Sequence, residues 1–496
     1  MGRDIEITDF TDEDYTKFSE RLYDCLNALK TTISTPGFGE GPITLGAELE
    51  TYIVNDTGHV APINHNILSE IDDPLFQHEL NKFNLEYNLS PVAARGCPFS
   101  SMQHEAEQAL IRASQTAAAH RASIVPIGIL PTLSIDDLQA DNMTDVGRYH
   151  MLYRGLHKLR GEPFKVNING DDPIRLECDH VTLEGANTSF QIHLRVPPER
   201  FAETYNAIQM VTPLAVAISA NSPILLGHRL WQETRIALFK QSIDSRLRGN
   251  VEWRQPSRVS FGHGWARQGA HELFAETVAL YPPIIPCSSD QKPLWALKNN
   301  FPPDLDELNL HMGTIWPWNR PVYSARDGGH LRIEMRAIPS GPTPLDMMAS
   351  AAFFIGLAIA LRDEISDILP QIPFRFAEHN FYRAAQNGLS AKILWPLPGQ
   401  THPVEQPIAR VIAALLPRMA EGLDRLGVDG AEIKKYQENM ENRLRSDLTG
   451  ASWQLMMLEK YQQRGLNRAE SCQAVTLKYI EQQKTGKSLS EWSLAP

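Results

Sequence analysis

Residues 43–54 read ITLGAELETYIV, and the alternation within this stretch restricts the fold more than any other feature of the chain. At a period of two, Leu45, Ala47, Leu49, Thr51 and Ile53 share one face, while Gly46, Glu48, Glu50 and Tyr52 share the other. A strand with one apolar face and two carboxylates side by side on the other either wets that second face or builds a cation site on it. Three further stretches have the same character. In SFQIHLRV (189–196), Phe190, Ile192, Leu194 and Val196 oppose Ser189, Gln191, His193 and Arg195. In HLRIEMRAI (330–338), Leu331, Ile333, Met335 and Ala337 oppose Arg332, Glu334 and Arg336. In LNKFNLEYNL (80–89), Glu86 shares its parity with Asn84 and Asn88.

A solvated face is the ordinary reading of any one such strand. Taken together the four point elsewhere, because solvated faces are usually rich in Lys and Thr, and these carry Glu, His, Gln, Asn and Arg. Gathered on one surface, Glu48, Glu50, Glu86 and Glu334 repel one another unless cations compensate them. A mostly carboxylate donor set with a single imidazole, His193, suits Mg²⁺ or Mn²⁺ better than zinc. Glu334 and Arg336 lie two apart and therefore reach the same side of their strand. There the carboxylate can hold a metal while the guanidinium grips a phosphoryl oxygen, or the two can simply pair with each other. Just upstream, HMGTIWPWNRPVY (311–323) sets Trp316, Trp318 and Arg320 among prolines. The tryptophans fit core packing as well as a substrate wall, whereas Arg320 needs an anion from the protein or from a ligand.

The remainder of the chain supplies helices around these strands. An acidic helix is predicted over 11–34, with further helices over 101–122, 147–159 and 202–220 and a buried strand over 122–131. The apolar run MMASAAFFIGLAIAL (347–361) is shorter than the roughly 18–20 residues a bilayer requires and reads as a buried helix. From about 402 the chain is helical and charged with little strand signal. Strands and helices do not alternate in a regular βαβ rhythm, so the expected class is α+β with a mixed or antiparallel sheet. Residues 1–400 are expected to form the catalytic domain and 401–496 a helical region packed on it. The glycine-rich TPGFGEGP (35–42) lacks the GK[ST] ending of a phosphate loop and leads into a strand, which removes it as a nucleotide cradle.

Composition excludes several classes. The net charge is −12, and no run of Lys or Arg offers a nucleic-acid footprint. Five scattered cysteines without a CxxC pair argue against a disulfide framework or a structural zinc site. That usage fits a reducing cytoplasm, and the polar, acidic first residues do not read as a signal peptide. Small-molecule substrates are expected, with neither nucleic acid nor membrane as partner.

GAELE (46–50), GRYHML (147–152), SFQIHLRV (189–196), ISANSPILLG (218–227) with Arg235 following, and HMGTIWPWNRP with LRIEMRAIPSGPTP resemble the glutamate–cysteine ligases. They also resemble the broader carboxylate–amine ligase group related to glutamine synthetase. DLTGASWQLMMLEKYQQRG (447–465) is similar to the helical tail of those enzymes, so the resemblance spans roughly 40–465. It implies a glutamine-synthetase-like curved, mainly antiparallel sheet backed by helices, with a helical C-terminal region. It implies ATP and two or three Mg²⁺ ions (or Mn²⁺), and glutamate activated as a γ-glutamyl phosphate that an amine then attacks. L-cysteine is the first-choice acceptor, which would place the product, γ-glutamylcysteine, in glutathione biosynthesis. Matched by motif, Glu48, Glu50, Glu79, Glu86, His193 and Glu334 are the metal ligands, and Glu334 with Arg336 the catalytic pair. Arg235, Arg148, Gln191, Arg320 and Trp316 match substrate or phosphate contacts.

Three points depart from that pattern. Glu79 and Glu86 cannot share one face of a continuous strand, so Glu79 must come from a turn or a helix end. Arg195 follows the QxH element where the family has a small residue. No cysteine pocket is identifiable, which leaves the acceptor open. An acyl phosphate needs shelter from water, and QPSRVSFGHGW (255–265) is the expected lid, with His263 structural. The same residues leave room for a guanidino-type phosphotransferase, a two-metal hydrolase without ATP, or a non-enzymatic scaffold with an ordinary wet sheet.

Overall fold

In the computed structural model, residues 9–246, 255–299, 301–396 and 402–496 are described. Seven strands form one sheet: β1 (Thr44–Asn55), β2 (Phe76–His78), β3 (Asn84–Ala93), β4 (Ala122–Val125), β5 (Phe190–Val196), β6 (Asn319–Ser324) and β7 (His330–Met335). Their order is β6-β7-β5-β1-β3-β2, and every pairing is antiparallel. β1 is the long central strand; its first half pairs with β5, and its second half pairs with β4 along the same edge.

The apolar faces read from the sequence are the ones buried. Leu45, Leu49, Phe190, Ile192, Leu194, Leu331, Ile333 and Met335 are all at most 1% exposed and belong to one continuous core. That core continues through helices α1 (Asp12–Ile33), α2 (Pro98–Ala119), α3 (Gly147–Arg160), α4 (Phe201–Ser219), α5 (Arg235–Ser242) and α6 (Pro344–Arg362). Helix α6 contains the apolar run, is long and apolar enough to cross a membrane, and buries every residue from Pro344 to Leu361 except Leu345 inside the protein. It lies against α4 and against α7 (Ile408–Leu426). The contact with α7 is backbone on backbone, since a Cβ added to Gly422 would sit 1.7 Å from the carbonyl oxygen of Gly356.

Helices α8 (Gly430–Ser446), α9 (Gly450–Gln463) and α10 (Arg468–Gln483) complete the C-terminal region. Arg443 of α8 meets Asp346 of α6 at 3.0 Å, with both side chains almost wholly buried. Trp453, Tyr479 and Trp492 stack edge to face in a second core that also takes in Tyr52 of β1 and Phe83 from the turn before β3.

Several boundaries differ from the sequence reading, each for a local reason. The strand expected over 80–89 begins at Asn84, because Asn81 turns the chain: its carbonyl accepts from Asn84 N at 2.9 Å and its amide donates to Thr182 O at 2.9 Å. The strand expected over 122–131 stops at Val125, since Pro126 has no N–H to continue the ladder. Little strand was expected after 402, yet Lys392–Pro396 and Pro403–Pro407 pair as a hairpin across the assumed domain boundary at 400, disguised by their prolines. The lid expected over 255–265 is not a free loop: Arg258, Val259 and Phe261 are buried, Val259 pairs with Trp316, and Phe261 stacks on Phe381 at 4.7 Å.

Candidate active site

Register brings the polar residues of distant segments onto one face, because directly opposed residues of an antiparallel pair project to the same side. Arg320 opposes Glu334, Glu334 opposes His193, and His193 opposes Gly46. One step along, Gln191 opposes Glu48 and Glu48 opposes Asn88. A further step brings Glu50 opposite Glu86 and Glu86 opposite Gln77. The alternation in ITLGAELETYIV is therefore one rib of a polar groove floor.

Two triads of ligand atoms stand on that floor. Atoms of Glu48, His193 and Glu334 lie within 4.8 Å of one another, and so do atoms of Glu50, Glu79 and Glu86. Glu79 enters from the coil just after β2, as its odd spacing from Glu86 requires. In the first triad, His193 Nε2 is 3.2 Å from Glu48 Oε1, yet neither ring nitrogen has a hydrogen-bond partner. A buried imidazole left unsatisfied between two carboxylates fits a cation rather than a closed structural network. In the second triad, burial and then the neighbouring acids raise the carboxyls: Glu86 is pushed up to about 7, and Glu79 well above its usual range. Oxygen-only donors that repel each other in this way suit Mg²⁺ or Mn²⁺.

Arginines set the charge balance between the triads. Arg320 donates to both oxygens of Glu334, through Nε at 3.0 Å and Nη2 at 2.7 and 2.9 Å. Arg336 pairs with Glu334 as well and donates to Gln191 Oε1 at 2.5 Å. Against the cost of burial, these two cations hold the Glu334 carboxyl far below its usual range. Glu50 is fixed from β5, accepting from Ser189 N at 2.6 Å and from Gln191 Nε2 at 2.7 Å. Glu86 accepts from Asn88 Nδ2 at 2.7 Å, and Glu79 from Leu80 N at 2.9 Å.

The other expected contacts divide. Arg148 donates to Tyr149 Oη at 2.7 Å and to His78 O at 3.2 Å, within the electrostatic reach of Glu79 and Glu86. Arg235 was expected to meet substrate, but it is 2% exposed and committed elsewhere. Its guanidinium pairs with Glu233 at 3.1 Å and donates to the carbonyls of Ala337 and Arg336, so it braces the Arg336 backbone from behind. Trp316 was also expected at the substrate; it packs edge-on against Phe239 at 6.0 Å, and its backbone N–H donates to Arg258 O. Core packing accounts for it. Arg195 donates to Glu40 O at 2.6 Å, and a Cβ on Gly41 (φ +132°) would come within 2.9 Å of its guanidinium. The unexpected arginine thus ties the glycine-rich turn to the end of the sheet.

One further acid near the groove, like Glu79, has no periodic signal in the sequence. Glu184 sits on a short 3₁₀ turn (Val181–Ala186) leading into β5, where burial and then the charge of Glu50 push its carboxyl up to about 8. Arg332, opposite Arg195, also lies on the polar face, and burial lowers the pKa of its guanidinium.

The family described as glutamate–cysteine ligase family 2 matches residues 44–474, which contain both triads. Among curated proteins none matches significantly. The chain is similar in structure to a glutamate–cysteine ligase from Francisella tularensis in complex with AMP, at 12% identity and a TM-score of 0.51, covering 92% of this chain and 91% of that one. A bifunctional glutathione synthetase from Pasteurella multocida matches at 12% identity and a TM-score of 0.49, over 93% of this chain and 54% of that one. The first likeness establishes an α+β fold with a curled antiparallel sheet and a helical C-terminal region. From the family match, the chain belongs to glutamate–cysteine ligase family 2, a family of ATP-dependent carboxylate–amine ligases.

Proposed function

We propose that this chain joins the γ-carboxylate of L-glutamate to the amine of L-cysteine, using ATP and Mg²⁺ and passing through a γ-glutamyl phosphate. The observation that carries the reading is the pair of triads flanking Arg336, one of them all carboxylate and the other carrying a single unsatisfied imidazole.

Transfer of a phosphoryl group to a carboxylate brings two anions together and asks for positioning and neutralisation more than for a protein nucleophile. Divalent cations held by Glu48, His193 and Glu334 and by Glu50, Glu79 and Glu86 would supply neutralisation of phosphate charge. Arg336 stands between the triads with its guanidinium already oriented by Glu334 and Gln191, so it can meet a transferring phosphoryl oxygen without reorganising. Arg320, bound to the same carboxylate, supplies a second cation at the edge of the groove. Gln191 couples the two triads, since its amide nitrogen donates to Glu50 while its oxygen accepts from Arg336. Arg148, beside the second triad, would receive the α-carboxylate of the amino-acid substrate.

The test is phosphate release from ATP and Mg²⁺ across a panel of amino acids, with and without glutamate. Fastest turnover with glutamate and cysteine together supports the reading. Fastest turnover with glutamate and another amine changes the acceptor. Stable phospho-substrate with ADP and no phosphate release would indicate a guanidino-type kinase, and turnover indifferent to glutamate overturns the ligase.

A further inference from the structure

Resting on the ligase reading, we propose that Glu184 is the carboxylate that receives the acceptor's ammonium group and takes its proton before the amine attacks. Every other acid in the groove is committed. Glu48 lies against His193, and Glu334 is held by Arg320 and Arg336. Glu50 accepts from Ser189 and Gln191, Glu79 from Leu80, and Glu86 from Asn88. These five acids, with His193, also make up the two triads, so cations would occupy lone pairs that a base must offer. Glu184 belongs to neither triad, and among the described residues its carboxylate makes no hydrogen bond or ion pair.

Its position is nonetheless fixed. The Tyr52 hydroxyl donates to Ala186 O at 2.6 Å, Thr182 donates to Leu138 O at 2.5 Å, and Asn81 donates to Thr182 O at 2.9 Å. Gly185 is pressed onto Asn81, whose amide nitrogen lies 2.5 Å from where a Cβ would stand. The backbone of Glu184 is held too, its carbonyl accepting from the side chain of Asn187 at 2.7 Å. A rigid turn, tied through Tyr52 to the same face of β1 as Glu48 and Glu50, therefore presents a half-buried carboxylate within the electrostatic reach of Glu50 and Arg336. An ammonium ion settling there brings the opposite charge that favours the ionised carboxylate over the neutral form that burial and Glu50 promote.

The step balances as follows. The ammonium gives one proton to a Glu184 oxygen, and the freed lone pair forms the C–N bond to the acyl carbon. The C–O bond to phosphate breaks with its electron pair on the departing phosphate, which collects the second N–H proton.

Hydroxylamine separates this role from all earlier steps, because it is already neutral at pH 7 and captures acyl phosphates without surrendering an ammonium proton. Wild type and Glu184→Gln are assayed with ATP, Mg²⁺ and glutamate, using cysteine, ammonium chloride or hydroxylamine as acceptor. The expected result is a loss of about 10²–10⁴-fold with cysteine and with ammonium, against less than about tenfold with hydroxylamine. Glu184→Asp is expected to recover part of the loss and keep the wild-type pH profile, and thermal unfolding checks that each variant is folded. Equal loss with all three acceptors, or no loss with any, overturns the assignment. Hydroxamate formed by wild type upholds the ligase reading even then, whereas no hydroxamate from wild type removes the ligase and the base together.

Discussion

Arg320 and Glu334 face each other across neighbouring strands, and the arginine binds both oxygens of a carboxylate that is 1% exposed. With Arg336 on the same group, Glu334 is the charge on which two guanidinium ions are built. Glu334→Gln keeps the shape and some hydrogen bonding but removes the charge. It is expected to lower kcat by at least about 10²–10³-fold while the protein still folds. Glu334→Ala would leave two buried cations unpaired and lower stability by about 3 kcal/mol or more as well. Steady-state kinetics beside urea unfolding separates the two effects.

The triads differ in what already balances them, and divalent binding without nucleotide reads that difference. Glu334 is neutralised by its arginines, whereas Glu50, Glu79 and Glu86 face one another with no cationic hydrogen-bond partner among the described residues. Calorimetric titration with Mn²⁺ alone is expected to show one tighter site, lost in Glu86→Gln and retained in Glu334→Gln. Two equal sites, or a tighter site that survives Glu86→Gln, would contradict it.

Stability is expected to rise with pH across a window set partly by His311. Burial first, with Arg258 nearby, lowers its pKa from 6.5 to about 4, while its Nε2 meets Thr277 O at 3.2 Å. The unfolded chain therefore binds a proton between those values that the folded chain refuses. The contribution is full above 6.5 and is lost progressively as pH falls toward 4. It amounts to no more than on the order of 3 kcal/mol. His311→Asn should flatten that part of the urea midpoint against pH, and an unchanged slope would exclude His311 as its source.

Packing of α6 on α7 leaves no room at the glycine crossing. Gly422→Ala is expected to destabilise by about 3 kcal/mol or more, because the added methyl meets main chain that cannot rotate away. Gly430→Ala, where a Cβ would meet nothing within 4 Å, is the control.

Strand alternation is local, so Glu48, Glu50, Glu86, His193 and Glu334 were readable from their own neighbours, and the register then fixed how they meet. Pro126 as the end of β4 was readable for the same reason, though the apolar run around it masked the stop. Glu79 and Glu184 stand on a coil and a 3₁₀ turn, where no period marks a face. Arg235 was matched by motif to a substrate contact although its counter-charge, Glu233, lies two residues upstream. Only the fold shows that the pair closes on itself against the backbone of Arg336. The burial of 255–265 depends on Trp316 and Phe381, both remote in sequence, so a glycine-bearing loop pattern gave the wrong impression there.

The main-chain crossing of Gly356 and Gly422 also limits how such a protein can be recombined. Among the described residues both triads lie before residue 401, yet the stretch that follows cannot be exchanged as a cassette. A chimaera joined at 401 would succeed only where donor and recipient each bring a glycine to the crossing. Helix α7 is thus inherited in step with the buried helix α6.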